Sequence, residues 1–332
     1  DPPMDALPPS VLPAGVRGRV LPGINGLDIH VLEAGFEPKG RPAVMLLHGF
    51  PECWYAWHPQ IEALSQAGYQ VFAPEMRGYG QSSAPRDPAA YDLLTLCGDI
   101  QAAMDALGQT RVAVVGHDWG APVAWHLALL EPARVQALGA LSVPFGGRPK
   151  RPAIEMMRTA YAGRFHYILY FQQPGLAEAE LDADIGRSLR LLLGGLGGAL
   201  LADKAADAKL FDGLADLPLP TWCSPELFAV YARTFAGRGF YGALNWYRNF
   251  ERNWQRTEPL AELQVRQPTL FLLGEHDPVG RFEAPTLARM AAKVPLLEQH
   301  LLPGCGHWLQ SEDGPRVNTL LLDFLGRHYP AV

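Results

Sequence analysis

The pentapeptide Gly116-His117-Asp118-Trp119-Gly120 holds an aspartate between two glycines, directly after a β-branched run at 112–115 and before a helical pattern at 122–130. A strand that turns sharply into a helix at G-x-nucleophile-x-G aims the central side chain out of the sheet, and the glycines clear room for the turn. The N-terminus of the following helix favours negative charge, which helps keep Asp118 ionised. The plain alternative is an aspartate that only caps the helix. As a nucleophile, a carboxylate suits a particular reaction. Serine attack on a saturated carbon leaves an ether that water does not readily cleave. Carboxylate attack leaves an ester that water can hydrolyse, splitting one hard displacement into two easier steps. The expected substrate therefore carries a leaving group on an alkyl carbon, and hydrolysis of esters or amides through serine is disfavoured.

An ester intermediate needs an activated water. In chains with such an elbow the acid and the histidine follow in that order, each after a later strand. Asp277 comes in GEHDPVG directly after the apolar run TLFLL, and His307 comes in GCGHW between a late strand and the last helix. His307 is the candidate general base, and Asp277 would hold its tautomer and stabilise the imidazolium. Glu275 and Glu283 are the fallback acids, and His276 reads as surface or packing. The HGFP loop at 48–51 follows the first strongly apolar strand, where a backbone N–H can serve an oxyanion. The N–H groups of Phe50 and Trp119 are the expected pair of donors, with His48 bracing the loop. Phe50, Trp119 and Trp308 are expected pocket walls beside the reacting groups, and Trp54, Trp57 and Trp246 are further candidates.

Distant loops meet only if a scaffold gathers them. After a Pro-rich lead-in, residues 27–33 alternate like a strand and 43–47 (AVMLL) form a continuous apolar run. Residues 61–67 read as helix, 69–73 as strand, 76–80 as loop and 93–107 as helix, leading to the strand before the elbow. Strands alternating with helices predict a mostly parallel sheet covered on both faces. From 148 to about 252 the pattern is aromatic and helical, broken by glycines at 194–198 and without a convincing strand. Strand-like runs resume at 269–273 and around 298–302, and an amphipathic helix at 317–327 closes the chain. The expected organisation is a core of residues 1–147 and 253–332 with an all-helical lid, 148–252, inserted in it. Leucines at 189–193 and 196–201 would serve an apolar tunnel or lid packing equally well.

The insertion also carries a resemblance. Residues 167–176 (YILYFQQPGL), continued by AEAEL, and 239–249 (GFYGALNWYRN) resemble the two lid segments of epoxide hydrolases of the α/β-hydrolase fold. HGFP, GHDWG and GHW fit the same family, so the resemblance runs from about Gly26 to the C-terminal helix. From the residues alone, Tyr161, Tyr167, Tyr170, Tyr231, Tyr241 and Tyr247 all suit aromatic packing. The family places one catalytic tyrosine in each lid segment, and the resemblance puts them at Tyr167 and Tyr247, with Tyr170 and Tyr241 as alternatives. It further implies the α/β-hydrolase fold, a mostly parallel sheet flanked by helices and capped by a helical lid. The implied activity is hydrolysis of an epoxide to a vicinal diol with water, without metal or organic cofactor. The chemistry is consistent: epoxide opening builds charge on an oxygen that stays attached to the substrate. A tyrosine hydroxyl, with an ordinary pKa of about 10, stays protonated at neutral pH and can donate to it.

A haloalkane or haloacid dehalogenase of the same fold is the enzymatic alternative; haloalkane dehalogenases share the fold, the aspartate and the elbow, but they release a halide entirely. In the haloalkane enzymes the residue after HG is often an asparagine that helps hold the ion; here it is Phe50. A small-molecule-binding homologue without turnover is the non-enzymatic alternative. Retention of nucleophile, base, acid and both tyrosines favours an enzyme. A net charge of -6 provides no basic field for phosphates or anionic lipid, which disfavours nucleic acid and membrane surfaces as partners. With 332 residues, 48% of them hydrophobic, the chain is long enough for one large core. Cys53, Cys97, Cys223 and Cys305 lie far apart and read as reduced thiols. Up to Gly35 there is no basic stretch followed by an apolar one, and no run reaches the length of a membrane span, so a cytoplasmic location is expected.

Overall fold

The computed structural model describes residues 12–195 and 201–332. An eight-stranded sheet forms its centre, made of β1 (Val16–Ile24), β2 (Leu27–Ala34), β3 (Ala43–Leu47), β4 (Gln70–Pro74), β5 (Val112–His117), β6 (Val135–Leu141), β7 (Thr269–Gly274) and β8 (Leu297–Leu302). The order across the sheet is β1-β2-β4-β3-β5-β6-β7-β8. β1 pairs antiparallel with β2 and β2 with β4, while every pairing from β4 through β8 is parallel. Parallel strands covered on both faces have no solvent side, so their sequences are apolar throughout. β3 and β5 are buried at every residue.

Helices α1 (His58–Gln66), α2 (Leu93–Ala106) and α3 (Gly120–Leu130) connect the early strands. α1 packs on β4, α3 on β5 and β6, and the last helix, α14, on α1 and β6. That last helix (Gly314–His328) buries Val317, Leu321, Phe324 and Leu325, the one-sided stripe expected of an amphipathic closing helix. Between β6 and β7 the described residues form seven helices, α4 (Ala153–Ala160), α5 (Tyr167–Tyr170), α6 (Leu176–Leu181), α7 (Ile185–Gly195), α8 (Pro225–Phe235), α9 (Tyr241–Asn245) and α10 (Phe250–Arg256), with short 3-10 turns and no strand. One isolated bridge joins Arg164 to Ala205. Trp246 Nε1–H donates to the Arg77 carbonyl at 2.9 Å and Arg238 to the Ser82 carbonyl at 2.6 Å, which seats this helical stretch on the loop after β4. The tunnel leucines suggested within 196–200 lie outside the described residues.

Two strands differ from the sequence reading. β1 falls where a Pro-rich lead-in was expected, and its mostly exposed residues lack a buried alternation. Its turn is nevertheless written in the sequence: Asn25 and Gly26 both have positive φ and join Ile24 to Leu27 as a two-residue hairpin. β6, with the sequence VQALGAL, has one β-branched residue, Val135, and otherwise little of the composition that marks a strand. Its Gly139 lets the chain pass close to Val115 of β5.

Strands β3 and β5 to β8 run in one direction, so the loops after their carboxyl ends collect on one edge of the sheet. HGFP follows β3, Asp118 follows β5, Ser142 follows β6, Asp277 follows β7 and His307 follows β8. Between β7 and β8 lie α11 (Val279–Phe282) and α12 (Ala284–Lys293), and α13 (Leu309–Glu312) joins β8 to the last helix. Among the described residues no helix is long and apolar enough to cross a membrane.

Candidate active site

Asp118 sits where β5 turns into α3 with a φ of 54°, a left-handed conformation that non-glycine residues adopt rarely. Space dictates the flanking glycines. A Cβ on Gly116 would overlap the Gly120 carbonyl, and one on Gly120 would overlap the Leu47 carbonyl. A Cβ on Gly49 would run into the Asp118 side chain itself. This close approach lets the Phe50 N–H donate to Asp118 Oδ2 at 2.9 Å. Behind it, Gly49 N–H donates to Glu52 Oε2 at 2.7 Å, and the Met76 N–H donates to His48 Nε2 at 3.0 Å. His48 thus braces the loop, as the sequence reading held.

His307 Nε2 lies 3.0 Å from Asp118 Oδ1, and its Nδ1 lies 3.1 Å from both oxygens of Asp277. Asp277, rather than Glu275 or Glu283, is the carboxylate at the histidine. It is fixed in turn by the Ser142 hydroxyl, which donates to Oδ2 at 2.6 Å, and by the Val279 N–H, which donates to Oδ1 at 3.0 Å. His276 is exposed.

Electrostatics in this buried group run against desolvation. Burial alone would raise both carboxyls and lower the imidazole. For Asp118, hydrogen bonding and charge from His307 overcome burial and hold its pKa below the ordinary carboxylate value. Asp277 is likewise held low, against burial, by the charge and hydrogen bond of His307. His307 is lifted well above the usual histidine value, against burial, by Asp277 and Asp118 together. Both carboxyls are thus biased toward the charged form, and the imidazole between them toward holding its proton.

Asp118, His307, Phe50, Tyr167, Tyr247 and Trp308 line one small cavity. The Tyr167 and Tyr247 rings lie 6.2 Å apart at 77°, and Phe50 stands edge-on to Tyr247 at 5.1 Å. Burial, followed by the nearby Asp118 charge, raises both phenols well above their ordinary value, so both remain protonated. The alternatives turn elsewhere: Tyr170 donates to Glu180 and Tyr241 to the Ala84 carbonyl, each at 2.9 Å.

Trp119, the residue after the elbow aspartate, is half-buried and packs its indole edge-on to the cavity residue Tyr247 at 5.3 Å and against Phe250. Trp54, Trp57 and Trp246 are buried in the core.

Residues 42–314 match the family described as the alpha/beta hydrolase fold. Over 310 residues the sequence is 45% identical to epoxide hydrolase A of Mycobacterium tuberculosis, covering 91% of this chain and 95% of that one. The chain belongs to the epoxide hydrolases of the α/β-hydrolase fold. This epoxide hydrolase is also similar to the crystal structure of epoxide hydrolase A from Mycobacterium thermoresistibile, with a TM-score of 0.88 and 43% identity over 93% of this chain and 98% of that one. An epoxide hydrolase from an endophytic Streptomyces is similar at a TM-score of 0.90 and 38% identity, over 96% and 98% of the two chains.

Sequence reasoning missed three polar residues around the site of this hydrolase. Ser142 touches both Asp277 and His307, the latter with Oγ 3.2 Å from Nδ1. It lies just past β6, so overlooking that strand hid it. Glu52 is fully buried, bound to the Gly49 N–H and lying 2.5 Å from His117 Nδ1, while His117 Nε2 is 2.7 Å from the His307 carbonyl. The pair ties the HGFP loop to the loop of the candidate base. A carboxylate directly after an apolar loop was the available signal, since a buried charge requires partners.

Proposed function

We propose that this enzyme hydrolyses epoxides to vicinal diols through a covalent ester on Asp118. The observation that carries the reading is the pairing of opposites in one cavity: a carboxylate kept ionised and two tyrosines kept protonated, within apolar walls. Residues 148–252 act as the lid that supplies the tyrosines.

With Oδ2 already held by the Phe50 N–H, Oδ1 is the oxygen that attacks an epoxide carbon. The carbon–oxygen bond of the ring breaks, and the developing alkoxide takes hydrogen bonds and a proton from Tyr167 and Tyr247. Ester formation removes the Asp118 charge. His307 then loses one of the two carboxylates that raise it and its proton affinity falls, so its proton passes to the tyrosinate left by the first step and the neutral imidazole can take a proton from water. That water attacks the ester at Cγ of Asp118. Negative charge collects on Oδ2, where the Phe50 N–H waits and the Trp119 N–H is the second donor. Collapse breaks the Cγ–Oδ1 bond, the diol leaves with Oδ1 carrying the proton that His307 returns, and the Asp118 carboxylic acid gives its own proton to His307, where Asp277 steadies the imidazolium.

Intact-mass analysis of the His307→Gln variant tests this route. Mixing it with an aryl epoxide is expected to add the mass of one epoxide to the protein and to leave that adduct standing, because loss of the base slows ester hydrolysis by about 10²–10⁴-fold. Diol release at the wild-type rate without an adduct would contradict the covalent route.

A further inference from the structure

One wall of the cavity differs from the others. Among the described residues that line it, Phe282 is the single exposed side chain, at 36%, whereas Leu192, Leu210 and Phe171 are at most 3% exposed. Phe282 ends the one-turn helix α11, whose first residue is fastened to the acid through the Val279 N–H on Asp277 Oδ1. The turn is thus anchored at its inner end and reaches solvent at its outer end. There the Phe282 ring meets the edge of His166, with centroids 5.4 Å apart at 69°.

His166 belongs to the helical stretch after β6. Its Nδ1 accepts the Ile168 N–H at the start of α5, and its ring stacks on Tyr167 at 4.9 Å. A residue from the segment after β7 and one from the helical stretch therefore touch over the one exposed point of the cavity. Burial lowers the His166 pKa to about 4, which leaves this contact uncharged at neutral pH. Among the described residues, Asp118 and His307 are the charged side chains that line the cavity, so a substituent on the substrate meets mostly apolar and aromatic surface. Among the described residues Leu192, Leu210 and Phe171 wall the cavity with buried side chains, whereas the Phe282 side reaches solvent, and that is where a second bulky substituent would extend.

We propose that Phe282 and His166 form the entrance of the cavity, and that the Phe282 ring limits the size of the apolar substituent an epoxide can carry past it. The inference rests on the reading of the site given above and names its substrate class: apolar epoxides bulky on one carbon at most. Comparison of kcat/KM for 1,2-epoxyhexane and trans-stilbene oxide in the wild type, Phe282→Ala and Phe282→Trp tests it. The stilbene oxide to epoxyhexane ratio is expected to rise by about tenfold in the Ala variant and to fall in the Trp variant. Phe282→Leu, which keeps an apolar side chain at this exposed position, is expected to give an intermediate ratio. An unchanged ratio across the variants, including an equal loss on both substrates, would overturn the assignment and make Phe282 a prop for Asp277. Turnover of neither epoxide by the wild type would instead overturn the reading of the site, and the entrance with it.

Discussion

His307 stands between two carboxylates, and its proton affinity follows the charge on Asp118. The hydrolytic half of the proposed cycle requires the neutral imidazole, so activity falls on the acid side of the pKa that His307 has in the ester form. Replacing Asp277 with Asn removes the remaining charge that raises this pKa. The acid limb of kcat is then expected to move to lower pH, while kcat itself drops by about 10³–10⁴-fold as tautomer control is lost. A pH–kcat profile checks both, and an acid limb that does not move would contradict the account. The tyrosines belong to the other half-reaction. Tyr167→Phe and Tyr247→Phe are each expected to slow ester formation by about 10²-fold while leaving ester hydrolysis unchanged, as read by stopped-flow single-turnover kinetics. Equal slowing of both half-reactions would show that the rings act only by packing. At this scale the sequence was most legible where chemistry demands one residue type in one motif, as at Asp118, Asp277 and His307. Tyr167 and Tyr247 were separable from their neighbours only through family resemblance, because hydroxyl direction in an aromatic helical stretch is decided by tertiary packing.

Among the elements, the close approach of the HGFP loop to the elbow sets the geometry of the whole site. Gly49 faces Asp118 so tightly that any side chain there must displace the carboxylate or the Phe50 N–H. Gly49→Ala is therefore expected to destabilise the fold by about 1–3 kcal/mol through overpacking. It is also expected to reduce kcat by about 10²–10³-fold through the displaced donor. Urea melts and steady-state kinetics measure the two effects, and wild-type behaviour in both would show that the loop is not held as tightly as described. The central strands were readable because parallel strands buried on both faces must be continuously apolar, as in AVMLL. β6 was not, since its alanines, leucines and glycine are shaped by packing against β5 and carry no strand signature of their own. The hairpin of β1 and β2 was written in Asn25-Gly26, a turn signal that a Pro-rich lead-in obscured.

For the molecule as a whole, the parallel run of strands delivers five loops to one edge of the sheet, and the helical stretch between β6 and β7 brings two tyrosines to the same cavity. That convergence could be anticipated from chain order, which places nucleophile, acid and histidine after successive strands. The packing of Trp119 on Tyr247 and Phe250 could not, because it depends on how the helical stretch closes over the elbow. The central claim is that oxygen reaches the diol from Asp118 and not directly from water. A single turnover of excess enzyme with an aryl epoxide in ¹⁸O-labelled water tests it most directly. The account predicts an unlabelled first diol, with the label retained in the peptide that contains Asp118. A fully labelled first diol, with no label in that peptide, would mean that water attacks the epoxide itself and that Asp118 is not the nucleophile.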